Sequence, residues 1–219
     1  DIVIPPPKPH SATVIFLHGL GDSGYGWKDA MEAVSSTLPH VKFVLPSAEE
    51  QPVTLNGGYR MPSWFDIVSL DSFEADPHTG LDGSVERVQQ LIQQEVDECR
   101  IPEDRIVLGG FSQGGAVSLY GGFKSGFKLG GILGLSTWLP HEKRFAQEVS
   151  ETTKGTPFLM CHGDADTVVQ YRYGQRGFEA LQALGLSGRF ETIPGLGHSL
   201  DMNELRIVAS WLEERLPVE

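Results

Sequence analysis

Long apolar runs are missing from this sequence. No stretch approaches the ~20 consecutive apolar residues of a membrane-spanning helix, so none of it is expected to cross a bilayer. Cysteine is scarce as well. Cys99 and Cys161 are the only two, too few for a disulfide framework, and both fall in apolar helix or strand contexts, which fits a reducing, cytoplasmic compartment. Basic residues are in deficit, with Lys+Arg 17 against Asp+Glu 29 and a net charge of −12. That balance argues against a nucleic-acid partner and leaves at most transient contact with an anionic membrane. Asp1-Ile-Val-Ile-Pro-Pro-Pro7 has neither the basic nor the apolar region of a signal peptide and is not expected to be one. Repeats, low-complexity tracts and linker-like stretches are lacking too. The 219 residues therefore read as one α/β domain, with residues 1–12 as a flexible Pro-rich arm.

What is present is an alternation of short apolar runs with amphipathic stretches. Thr13 to His18 and Val41 to Leu45 read as strands, and Trp27, Met31, Val34 and Leu38 recur between them at helical spacing. Val53 to Leu55 and Tyr59 to Met61 flank Asn56-Gly57-Gly58 as a hairpin. A long acidic loop runs from Asp71 to Gly80, and loops of this length are usually functional lids or simply mobile. Val85, Val88, Leu91, Ile92, Val96 and Cys99 mark one face of a helix over about 84–100, which Pro102 closes. Further strands are expected at 106–111, 129–135, 157–162 and 189–193, with helices at about 113–123, 141–151, 168–184 and 202–216. Such alternation argues for a mostly parallel sheet covered by helices on both faces.

One of these strand-to-helix turns carries chemistry. Ile106 to Phe111 runs into Gly110-Phe-Ser112-Gln-Gly114, a G-x-S-x-G pattern in the strand–turn–helix setting that gives it meaning. The sharp turn strains Ser112 and exposes its hydroxyl, and the helix start points free N–H groups at developing negative charge. A serine needs a base oriented by an acid, and the order Ser, Asp, His is present downstream. Phe158 to His162 ends in Gly163-Asp164-Ala-Asp166, and Phe190 to Ile193 leads to Gly197-His198-Ser199. Spacing alone scarcely separates Asp164 from Asp166; Asp166 is taken as the acid and Asp164 as a turn former. For the oxyanion, the N–H of Gln113 and that of Leu20, in Leu17-His-Gly-Leu20-Gly-Asp22, are the candidate donors.

Two rival readings fail on spacing. Gly19-Leu-Gly21-Asp-Ser-Gly24 matches the dinucleotide fingerprint, but the next strand lacks the acidic residue required about 20 positions on. His162, Asp164, Asp166 and His198 could be imagined as metal ligands, yet no H-x-x-x-H-type pairing supports this, and Ser112 would be left without a role. Neither a metal nor a cofactor is expected.

At these residues the sequence closely resembles the acyl-protein thioesterase and lysophospholipase-like carboxylesterase family of serine hydrolases. The resemblance rests on Val14-Ile-Phe-Leu-His-Gly-Leu-Gly-Asp22, Pro52-Val-Thr-Leu-Asn56, Met61-Pro-Ser-Trp-Phe-Asp-Ile67, Arg105-Ile-Val-Leu-Gly-Gly-Phe-Ser-Gln-Gly-Gly-Ala116, Ser118-Leu-Tyr120, Trp138-Leu-Pro140, His162-Gly-Asp-Ala-Asp166 and His198-Ser199. It implies an α/β-hydrolase fold without a separate cap domain, Ser112, Asp166 and His198 as the triad, and Leu20 and Gln113 as oxyanion donors. The implied activity is cofactor-free hydrolysis of fatty-acyl thioesters on S-acylated proteins and of acyl-ester lipids, by a monomer or weak homodimer. A broad carboxylesterase or lysophospholipase, and a non-catalytic receptor on the same fold, are the alternatives. Two departures stand out: Thr167-Val-Val-Gln170 lacks a proline that relatives usually carry, and Thr137 replaces a small or sulfur residue, which could alter the pocket.

A long acyl chain needs an apolar trough beside Ser112. Trp64, Phe65, Leu70, Phe73, Trp138 and Leu139 are the candidates, with Leu55 as a further one. Phe73, an aromatic in the acidic loop, is expected on a flap over that trough.

Overall fold

The computed structural model describes residues 1–218. Nine strands and six α-helices follow one another as β1 (Ile2–Ile4), β2 (Ala12–Leu17), α1 (Lys28–Ser35), β3 (Val41–Leu45), β4 (Glu50–Val53), β5 (Tyr59–Pro62), α2 (Leu81–Asp97), β6 (Ile106–Phe111), α3 (Gln113–Lys124), β7 (Gly131–Leu135), α4 (Glu142–Glu148), β8 (Phe158–Gly163), α5 (Tyr171–Ala183), β9 (Gly188–Ile193) and α6 (Met202–Arg215). Seven strands form the central sheet in the order β1-β3-β2-β6-β7-β8-β9, and β4-β5 make a separate hairpin. Only β1 is antiparallel to its neighbour in the main sheet. The chain steps outward from β2 to β3 and then returns past β2 to β6. This reversal opens a crevice at the carboxyl ends of β2 and β6, where open α/β sheets bind their ligands.

Strand alternation builds two cores. Ile15, Leu17, Ile106 and Leu108 face α2, α3 and α5, meeting Val85, Val88, Val117, Tyr120 and Leu181. Val14, Phe16, Val107 and Leu133 face α1 and α6, meeting Met31, Val34, Val208, Trp211 and Leu212. Residues one apart on a strand point to opposite faces, so the central strands are apolar nearly throughout, and the buried polar side chains Thr13 and His162 are hydrogen-bonded. Each such side chain contributes roughly 1.5–3 kcal/mol when fully buried.

Parts of the Pro-rich arm are bonded to the rest of the fold. Ile2, Val3 and Ile4 pair with Leu45, Val44 and Phe43, and the Lys8 and Ser11 N–H groups donate to the Pro39 and His40 carbonyls. An Ile-Val-Ile triplet beside the open edge of β3 satisfies backbone groups that would otherwise lie bare. The expected hairpin forms two to three residues earlier on its first side, because Thr54 to Asn56 close the turn as a 3₁₀ segment ended by Gly57 at φ 65°. Below β2, the Glu95 carboxylate accepts from Thr13 at 2.7 Å and from Lys42 at 2.5 Å, so an acid on the buried face of α2 is neutralised locally.

Among the described residues no helix is long and apolar enough to cross a membrane.

Candidate active site

Ser112 is the residue between β6 and α3, at φ 52° and ψ −118°, a region costly for any residue with a side chain. The glycines around it are sterically required. A Cβ on Gly114 would stand 2.3 Å from the Leu17 carbonyl oxygen, and one on Gly110 would stand 2.4 Å from the Gly114 backbone. The turn is held by the Ser112 N–H donating to Leu135 O at 2.8 Å and by the Thr137 hydroxyl donating to Ser112 O at 2.6 Å. Thr137 therefore grips the turn from behind and does not line the cavity at Ser112.

The loops after β8 and β9 bring an acid and a base to this hydroxyl. His198 Nε2 lies 3.0 Å from Ser112 Oγ, and His198 Nδ1 lies 2.7 Å from Asp166 Oδ2. With the carboxylate as acceptor, Nδ1 carries the proton and Nε2 is free to receive one from the serine. The other Asp166 oxygen accepts the Val168 and Val169 N–H groups at 2.9 and 3.0 Å. Burial alone would push the Asp166 carboxyl up, but bonds from His162, His198 and the Val168 N–H, with the charge of His198, hold it well below the usual carboxylate range. Asp164 is elsewhere engaged, its Oδ1 accepting from the Gly195 N–H at 2.6 Å and tying the two loops together. Of the two aspartates, Asp166 is the one within hydrogen-bond distance of His198.

The Gln113 N–H opens α3 and has no intrahelical acceptor. Leu20 lies on the rim of the same cavity as Ser112. Its loop is braced by His18, whose Nδ1–H donates to Gly19 O at 2.6 Å while Nε2 accepts the Ala48 N–H at 2.9 Å. Burial lowers the His18 pKa against an opposing contribution from the Gly19 carbonyl, keeping the ring neutral and this tautomer fixed.

A cavity of about 260 Å³ opens beside Ser112, lined by Leu20, Leu55, Ile67, Leu70, Phe111, Trp138 and Val168. Leu70, Trp138 and the further candidate Leu55 thus border it, and four expected pocket residues do not. Trp64 is consumed by bracing: its indole N–H donates to the His18 carbonyl at 2.8 Å, and its ring lies over His18. Phe65 is fully buried against Trp138 and His78. Phe73 and Leu139 lie behind Trp138 and face a second groove of about 510 Å³. That larger groove holds neither Ser112 nor His198.

Nor is Phe73 on a loose flap. It is buried, stacked on Trp138 with ring centroids 4.1 Å apart and set edge-on to Tyr173. Asp76 accepts the N–H groups of Val68, Ser69 and His78, and Tyr173 donates its hydroxyl to Asp71 O. Four residues escaped sequence reasoning. Ile67, Phe111 and Val168 look like ordinary core or loop residues, and the Gln113 side chain hides behind its backbone role. That amide accepts the Trp64 N–H and donates to Phe65 O and Ser63 Oγ, anchoring the segment below the cavity. His18 and His162 shared one legible signal, a His-Gly pair ending a strand.

Fold and site together define a protein of the α/β-hydrolase class with a serine–histidine–aspartate chain at the sheet's carboxyl edge. The Phospholipase/Carboxylesterase family model matches residues 1–216, and the chain belongs to that family. It is 46% identical to acyl-protein thioesterase 1 of Cryptococcus neoformans over 97% of this chain and 96% of that one. Against acyl-protein thioesterase 1 homolog 1 of Dictyostelium discoideum it is 43% identical, covering 95% of this chain and 92% of the other. The crystal structure of Zea mays acyl-protein thioesterase 2 superposes with a TM-score of 0.88 at 34% identity, covering 98% of both chains.

Proposed function

We propose that the protein is a serine hydrolase that cleaves fatty-acyl thioesters of S-acylated proteins, and related acyl esters, through an acyl-enzyme. The observation that carries this is the hydrogen-bonded run from Ser112 Oγ through His198 to Asp166, opening into an apolar cavity. In this reading Ser112 attacks the acyl carbon as His198 Nε2 takes its proton. Asp166 holds the imidazole and stabilises it once charged. The N–H groups of Leu20 and Gln113 receive the oxyanion, a contribution of about 3 kcal/mol for each donor. A thiolate leaves with little help and takes up the His198 proton once free, whereas an alkoxide takes that proton as it leaves, so that His198 can act as base again. Water then repeats the sequence on the acyl-enzyme.

The names of the relatives favour thioesters on proteins. The family's own description favours carboxylesters and phospholipids as a second reading, because nothing in the step just described forbids an oxygen leaving group. The two unpaired thiols, exposed Cys99 and buried Cys161, support a reducing cytosolic setting.

Acid release from an S-palmitoylated peptide, palmitoyl-lysolipid and p-nitrophenyl esters tests the proposal. The peptide should be turned over with the highest kcat/KM, and Ser112→Ala should abolish all three activities. Turnover of the esters alone would select the second reading, and full activity of the variant would defeat both.

A further inference from the structure

His162 is fully buried near the end of β8 and has no part in the steps above. Its Nε2 lies 2.8 Å from the Val169 carbonyl oxygen and 3.5 Å from Asp166 Oδ2. Asp166 Oδ2 thus lies between two imidazoles, His198 on the solvent side and His162 beneath. The other nitrogen, Nδ1, is buried with no partner. It faces Gly174 of α5, where an added Cβ would come within 2.3 Å. A carbonyl oxygen can only accept, so Nε2 carries the hydrogen, and a second proton on Nδ1 would be buried without an acceptor. Asp166, His198 beyond it and the Tyr171 phenol of α5, whose ring stands edge-on at 5.8 Å, are the titratable groups around this ring.

We infer that His162 is a positioning residue, a fixed donor that clamps the Asp166 to Val169 loop and holds Oδ2 toward His198. The inference rests on the proposed roles of Asp166 and His198. The clamp is closed on both sides. Asp166 Oδ1 accepts from the Val168 and Val169 N–H groups, and the His162 Nε2–H donates to the Val169 carbonyl, so the loop cannot turn without breaking one of these bonds. Val168 at its tip also borders the cavity. One imidazole therefore sets the orientation of the acid and part of the acyl wall. Gly174 has a reason in the same terms: only a residue without a Cβ lets α5 close over the ring.

Steady-state kinetics across pH on folded His162→Leu, His162→Gln and Gly174→Ala test this, with Asp166→Asn in parallel. Leucine fills the space without donating, whereas the glutamine amide keeps a donor near the Nε2 position. Loss of the donor should misplace Asp166 and lower kcat roughly 10- to 100-fold with KM within about twofold. It should also move the acid limb of kcat/KM downward by about half a pH unit, because a carboxylate displaced from His198 stabilises its protonated form less. His162→Gln should recover most of kcat and restore the limb, and Gly174→Ala should resemble the leucine variant. If folded His162→Leu keeps both kcat and the limb, the inference is wrong. It is equally wrong if leucine and glutamine lower kcat alike with the limb unmoved, which is the mark of a purely structural residue. Should leucine prevent folding, glutamine alone decides: near-native kcat supports the clamp, and a loss beyond about tenfold in a folded variant overturns it. Full activity of Asp166→Asn would instead defeat the underlying triad, separately from His162.

Discussion

Replacing Glu204 by Gln should change how stability depends on pH. Glu204 lies in the first turn of α6, fully buried, with neither carboxylate oxygen bonded. Burial, and secondarily the charge of Asp201 three residues earlier, pushes its carboxyl from an ordinary 4.5 up to about 8. Cys161 of β8 is its other titratable neighbour, and burial pushes that thiol up too, with Glu204 adding to the effect. Below pH 4.5 native and unfolded chains both hold the proton. Between 4.5 and about 8 only the native chain holds it, so stability falls as pH rises through this window and levels off above it. At about 1.4 kcal/mol per pH unit the full loss is on the order of 4–5 kcal/mol. Glutamine cannot ionise and matches the protonated acid in shape. Urea unfolding at pH 5 and pH 8.5 should show the two proteins similar at the lower pH. At the higher pH, Glu204→Gln should unfold roughly 1.5–2 M later, for a slope near 2–3 kcal/mol per molar urea. Titrating groups that do not interact with Glu204 are common to both proteins and cancel in the difference. Parallel pH dependences, separated by less than about 1 kcal/mol at both values, would refute the reasoning and mean the ionised carboxylate finds partners.

Other substitutions probe the site. Asp166→Asn should lower kcat by about 10⁴-fold, whereas Asp164→Ala, which loses only the tie to Gly195, should cost less than about tenfold; reversed magnitudes would exchange the two roles. Gly114→Ala drives a methyl into the Leu17 and His18 carbonyls and should cut kcat/KM about 100-fold through a small displacement of the turn, read at equal folded fraction by circular dichroism. For Phe73→Ala, the reasoning is volumetric. If a methylene takes about the 30 Å³ of a water molecule, the cavity at Ser112 holds roughly nine, and the Phe73–Trp138 stack walls off the groove behind. Removing the ring should raise kcat/KM for palmitoyl over octanoyl esters, and an unchanged ratio would show that chains do not pass that way.

How much of this was legible follows from what each residue does. β6 falls where its uninterrupted apolar run places it, because a strand buried on both faces leaves no polar position to blur its ends, and β3 follows with Lys42 as its one polar residue. The turn at Ser112 was equally readable, since Gly110 and Gly114 are demanded by backbone contacts that no side chain could share. The pocket was not. Trp64, Phe65, Phe73 and Leu139 are apolar and near the right loops, but whether an aromatic lines a cavity or braces its wall depends on a few ångströms of packing. Trp64 is decided by one indole N–H that finds the His18 carbonyl. The N-terminal arm misled for a related reason: its prolines signal irregular chain, while the three residues before them find an open strand edge far along the sequence. Long-range pairing of that kind leaves no local trace.

The central claim is that Ser112 is the nucleophile of an acyl-enzyme cycle driven by His198. Intact-mass and peptide mapping after brief exposure to a fluorophosphonate tests it most directly. A single stoichiometric adduct on Ser112, lost in Ser112→Ala and strongly slowed in a folded His198→Ala, is the predicted result. An unlabelled Ser112 in the folded protein, or labelling as fast without His198, would contradict it.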